Sequence, residues 1–213
     1  MESTKKSLTG NLLRGALKIQ DKVFGRPFPT MERVKQITSS HCGPAVLVSL
    51  FSFLGEKVSQ KKITASLRAQ KRIKKFGLSV KDLASATKIY GKDGGLVFWK
   101  KANAKISDLD QLINKYGFPV GVEWQGVFYE DEDEDNGHYS VVTQINKKEG
   151  YLRMADPYYR FAGHDRKFKT TLFVKRWWDT NLINKKVVYD KRVLFIVAPK
   201  KETFPKKLGM IRG

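Results

Sequence analysis

The chain has 213 residues, 41% hydrophobic and 12% aromatic, enough apolar mass to bury a core and to exclude disorder as the default. Its 41 Lys and Arg outnumber 21 Asp and Glu for a formal charge of +20, which attracts RNA, DNA or an anionic surface without any dedicated site. A single Cys excludes an internal disulfide. With no secretory signal and no apolar run of about eighteen residues, the expectation is a cytoplasmic protein without a spanning helix.

Residues 10 to 24 carry Leu12, Leu13, Ala16, Leu17, Ile19, Val23 and Phe24 at helical intervals, which predicts an amphipathic helix inside a basic N-terminal extension over 1–29. GRPFPT at 25 to 30 breaks the chain, so the main domain is expected over 30–200, followed by a basic tail over 201–213. A strongly apolar helix over 43–54 has Pro44 in its first turn, where no N–H is missed, and Gly55 at its end. A second helix is expected over 59–70, and a third in GLSVKDLASATKIYG, where Ser79 and Asp82 have capping-box spacing. Ser107 and Asp110 repeat that device ahead of LDQLINKYG. After residue 118 the pattern changes to short β-branched and aromatic runs: PVGVEW, HYSVVTQI, YLRMAD and RVLFIVAP. Helices first and strands second predict an α+β fold, with N-terminal helices packed on a C-terminal antiparallel sheet.

The segment QITSSHCGPAVLVSL, residues 36 to 50, places the one thiol directly ahead of Gly-Pro and the apolar helix. A thiol in a first helical turn meets unpaired N–H groups and the positive end of the helix dipole, both of which favour thiolate. The competing reading is a small apolar side chain in a core. Against it, the apolar face begins only after Cys42, at Ala45, Val46 and Leu47. A cysteine nucleophile needs a base and a group to orient that base. His138 opens HYSVVTQI just after Asn136-Gly137, and YLRMAD ends on Asp156. In a hairpin where Gln144 faces Gly150, His138 faces Asp156 on the same side of the sheet, whereas a slip of one residue separates them. Asp156 would then accept the Nδ1–H and leave Nε2 to take the thiol proton. Gln36, six residues before Cys42, is an uncharged donor that would complete an oxyanion hole with the Cys42 N–H.

QITSSHCGPAVL, GHYSVV and ADPY resemble the glutamine-cysteine, histidine and aspartate boxes of the peptidase C39-like family, within the papain-like cysteine peptidases. GLSVKDLASATKIYG, ISDLDQLINKYGFPVGVEW, FVKRWWDT and RVLFIVAP are similar in order and spacing to the intervening elements, so the resemblance spans roughly residues 30 to 200. It implies a papain-like fold and a cysteine hydrolase in which Cys42 is nucleophile, His138 base and then acid, Asp156 the orienter and Gln36 the oxyanion donor. It implies a peptide or protein substrate and neither a metal nor an organic cofactor. Transfer of the acyl group to an amine, or a silent domain that binds nucleic acid or anionic surfaces, are the alternatives.

Four features fall outside those boxes. His41, next to the Cys, either supports a thiolate or covers the cleft. The run EDEDED at 130 to 135 holds six of the acids just before His138, which suits a solvated loop or the recruitment of a basic peptide. Trp177 and Trp178 beside Lys175 and Arg176 read as structural aromatics, with base stacking as the rival. His164 reads as an exposed loop residue.

Overall fold

In a computed structural model, residues 30–93, 95–128, 137–183 and 186–213 are described. The amphipathic helix expected near the N-terminus and the acidic run both fall outside these residues. Helix α1 (Cys42–Phe53) is apolar all round, with Gly43 to Phe51 buried without a break, because other elements cover it on every side. Each fully buried Leu, Val or Phe on it contributes about 1.5–3 kcal/mol. The chain turns at Gly55, whose φ of +81° an L side chain rarely adopts. The helix expected over 59–70 is shorter: α2 (Gln60–Ser66) is capped by the Ser59 hydroxyl, and Arg68 at φ +49° leads to a single turn, α3 (Ile73–Phe76). Helix α4 (Val80–Tyr90) has the predicted capping box of Ser79 and Asp82.

Strand β1 (Leu96–Lys101) interrupts the helical half and was not among the expected strands. Helix α5 (Ile106–Asp110) runs into a π-helical stretch, Gln111–Lys115. Its cap is displaced from the Ser107 and Asp110 pair: Asp108 accepts the Lys105 N–H at 2.7 Å, and Ser107 lies inside the helix. The strands then follow in order, β2 (Val120–Gln125), β3 (Gly137–Asn146), β4 (Tyr151–Ala155) and β5 (Asp165–Lys169). Helix α6 (Thr170–Arg176) leads to a separate ribbon of β6 (Trp178–Ile183) and β7 (Lys186–Lys191). β8 (Leu194–Pro199), α7 (Phe204–Lys207) and β9 (Ile211–Arg212) complete the chain. The C-terminal residues join the body: β9 pairs with β1, and Phe204 and Met210 are buried.

The large sheet has the order β5-β4-β3-β2-β8-β1-β9, antiparallel at every pairing. Both faces are covered, so β8 sends Leu194 and Ile196 into one core with Trp124, Met154 and Trp177, and Phe195 and Val197 into the other with α1. That double burial is why β8 reads as a continuous apolar run, whereas β2 alternates Val120, Val122 and Trp124 on one face with Gly121, Glu123 and Gln125 on the other. Trp177 belongs to this core, its indole N–H on the Val193 carbonyl at 2.9 Å, and Trp178 stacks on Tyr189, which fits the structural reading of both. Among the described residues no helix is long and apolar enough to cross a membrane.

The hairpin of β3 and β4 departs from the expected register. Asn146 pairs with Tyr151, and a bulge at Thr143 shifts the ladder so that Val142 pairs with Met154 and Val141 with Ala155. His138 therefore does not face Asp156 directly. Extended by one step, the ladder sets Asp156 against Ser140, which shares a face with His138 because side chains repeat every second residue. Had the ladder run on from Asn146 without the bulge, Asp156 would have met Val141, on the opposite face.

Candidate active site

Cys42 is the first residue of α1 and its free thiol is half-buried at the helix mouth. His138, near the start of β3 and opposite Trp124, is 3% exposed. Its Nε2 lies 2.9 Å from Asp156 Oδ1, and its ring meets Phe128 edge-to-face with centroids 5.0 Å apart. This reverses the expected use of the ring: Nε2 faces the carboxylate, and Nδ1 is the nitrogen that remains. Burial opposes the charged imidazole, but the charge and hydrogen bond of Asp156, reinforced by those of Cys42, outweigh it and raise His138 from 6.5 to about 10.

Asp156 follows the last residue of β4, and its side chain is wholly buried. Oδ1 also accepts the Tyr158 N–H at 3.0 Å, and Oδ2 accepts from Arg166 Nη1 at 2.8 Å. Burial alone would raise this carboxyl; the charge and hydrogen bond of His138, then the Tyr158 N–H and the charge of Arg166, lower it to about 2.

Gln36 is buried, and its backbone N–H donates to the Pro157 carbonyl at 2.9 Å, which ties the segment before Cys42 to the one after Asp156. Its Nε2 donates to the Thr38 and Ser39 carbonyls, at 2.9 and 3.0 Å, so both amide protons are held by the turn leading to the helix. The amide thus stands near the nucleophile in sequence but is engaged locally. His41 is buried, hydrogen-bonded to Thr38, and lowered in pKa by its burial, so it holds no positive charge beside Cys42 at neutral pH. It covers the site. His164 is exposed, as expected.

Two features escaped sequence reasoning, one buried and one part-buried. The Tyr139 hydroxyl donates to Glu123 at 2.7 Å, and the Tyr139 ring packs against Gly43 beside Cys42. Glu123, the lone acid inside the apolar run VGVEW, was a legible sign of a buried carboxylate. Arg166 was not legible, because nothing sets it apart from the other 40 bases until its partners are brought to it.

A search of curated proteins returns no match. Among solved structures, the peptidase domain of Streptococcus ComA, a bifunctional ABC transporter, is 20% identical and superposes with a TM-score of 0.54, covering 78% of this chain and 96% of its own. A putative C39-like peptidase from Bacillus anthracis is 14% identical, with a TM-score of 0.57 over 84% of this chain and 98% of its own. A double glycine motif protease from an AMS/PCAT transporter, solved with a leader peptide, is 16% identical, with a TM-score of 0.51 over 82% and 96%. At these identities the likeness is one of fold, and it bears out the papain-like α+β expectation. The model of the Peptidase_C39 like family matches residues 29–182, most of the chain, and the protein therefore belongs to that family.

Proposed function

We propose that this protein is a cysteine peptidase-like hydrolase that cleaves a peptide or amide bond through a thioester acyl-enzyme. One observation carries the reading: a wholly buried Asp156 holds the buried imidazole of His138 at 2.9 Å, and that imidazole interacts with the thiol at the mouth of α1. A base raised to about 10 is an imidazolium at neutral pH, so the resting partner it favours is a thiolate.

The thiolate of Cys42 attacks the carbonyl carbon, and the oxygen takes the negative charge. The Cys42 N–H stabilises it, joined by Gln36 when its Nε2 exchanges one turn carbonyl for the oxyanion. The imidazolium gives its Nδ1 proton to the leaving amine as the C–N bond breaks and the thioester forms. His138 then takes a proton from water, the hydroxide adds to the thioester, and the C–S bond breaks to restore the thiolate and release the carboxylic acid, which gives its remaining proton to solvent. Asp156 keeps Nε2–H pointed at itself throughout, which holds the ring in one tautomer.

The test is the pH dependence of Cys42 alkylation in wild type and in His138→Ala. Fast alkylation well below about pH 8.5, where a free thiol ionises, with loss of that advantage in the variant, supports the reading. An ordinary thiol profile, indifferent to His138, refutes it.

A further inference from the structure

We propose that Arg166 is a positioning residue of this site: its guanidinium clamps the orienting carboxylate of Asp156 and ties the connection after β2 to it through the Val127 carbonyl. The inference rests on the reading of Cys42, His138 and Asp156 given above.

Arg166 pairs with Met154 across β4 and β5, two residues before Asp156 and on the same face. From there Nη1 reaches Asp156 Oδ2 at 2.8 Å and Nη2 reaches the Val127 oxygen at 2.8 Å. The two carboxylate oxygens are thus divided, one turned to His138 and one to Arg166. Val127 precedes Phe128, whose ring touches both His138 and Tyr158, so the clamp also fixes the aromatic wall on the imidazole. The guanidinium lies 3.6 Å from the Phe161 ring centroid and 4.7 Å from that of Phe168. A planar fork bonded to two acceptors and stacked on rings is work for Arg, which Lys reproduces only as a point charge.

The charges support the same role. Thiolate, imidazolium, carboxylate and guanidinium sum to zero, and without Arg166 the remaining three carry one net negative charge around the buried His138 and Asp156, which favours a proton on Asp156 and disfavours the thiolate. The other ionisable groups around the set stay in place: the Tyr139 and Glu123 pair on β3 and β2, Asp179 on β6, Arg176 on the Gln125 and Gly126 carbonyls, His41, and the Arg33 and Asp165 ion pair. A comparison among Arg166 variants therefore reports on Arg166.

The experiment is the pH profile of Cys42 alkylation by iodoacetamide in the full chain, with thermal unfolding to establish that each variant is folded. Arg166→Gln and the apolar Arg166→Met, which keeps the ring contacts, are expected to move the acid limb upward by about one pH unit, about tenfold slower alkylation below the midpoint. Arg166→Lys, which keeps the cation, is expected to recover at least half of that shift. A folded neutral variant with the wild-type acid limb overturns the proposal, as does a Lys variant displaced as far as the neutral ones. If neither neutral variant folds, Arg166 is a structural residue and the proposal also falls. Failure of the underlying reading looks different: wild type itself then shows the profile of an ordinary thiol, unchanged by His138→Ala, and the proposal falls with it.

Discussion

His138 and Asp156 share one hydrogen bond and titrate in opposite directions, which makes the pair readable in folding stability. The His138 pKa is raised from 6.5 to about 10, so its contribution is complete below pH 6.5 and is lost as pH rises through about 10. The Asp156 pKa is lowered from 3.8 to about 2, so its contribution is complete above pH 3.8 and is lost as pH falls through about 2. Urea unfolding of wild type is therefore expected to weaken at both ends. Asp156→Asn should flatten both slopes, because the two shifts belong to one coupled pair. His138→Ala should flatten the alkaline slope and keep part of the acid one, since Asp156 retains Arg166 and the Tyr158 N–H. An Asn variant that kept the alkaline slope would place the cause of the His138 shift elsewhere.

The strands show how local pairing decides which side chains meet. Leu152 and Met154 alternate regularly on β4, while their partners Ile145 and Val142 stand three apart on β3, and the extra residue is Thr143. The bulge is pinned, since the buried Thr143 hydroxyl bonds to Asp165 at 2.6 Å, and Asp165 in turn pairs with Arg33. Apolar spacing of three in an otherwise alternating strand is a sequence-visible sign of such a bulge, but loop length alone pointed to a plain ladder. Next door, Gly121 on β2 faces Phe195 on β8 so closely that a Cβ would stand 2.2 Å from the ring. Phe195 is fully buried and stacked on Phe98, so the ring cannot yield. Gly121→Ala is expected to destabilise the domain by about 1–3 kcal/mol, measured as a lower urea midpoint, and an unchanged midpoint would mean that the sheet opens there at no cost.

Over the whole molecule, charge is segregated: six acids stand together ahead of His138 and the other 15 are dispersed among 41 bases. We expect this run to recruit basic peptides. Neutralising residues 130–135 should raise KM for Lys- and Arg-rich peptides, remove the salt dependence of their cleavage, and leave neutral peptides unaffected; equal rates on both substrate types before and after neutralisation would dismiss the idea. The sequence by itself determined the parts that depend on neighbours in the chain. These are the apolar helix that follows Cys42, the capping box of α4, the four apolar strands, and the ordered boxes holding Gln36, Cys42, His138 and Asp156. Only the tertiary structure decided which strands adjoin, that β1 and the C-terminal β9 enter the sheet, that Nε2 and not Nδ1 meets Asp156, that the Gln36 amide rests on its own turn, and that Arg166 closes the cluster. The physical reason is range. Propensity, capping and periodicity act within a few residues, whereas register, ring orientation and charge pairing are set by burial against groups far along the chain, where one inserted residue turns a side chain to the other face.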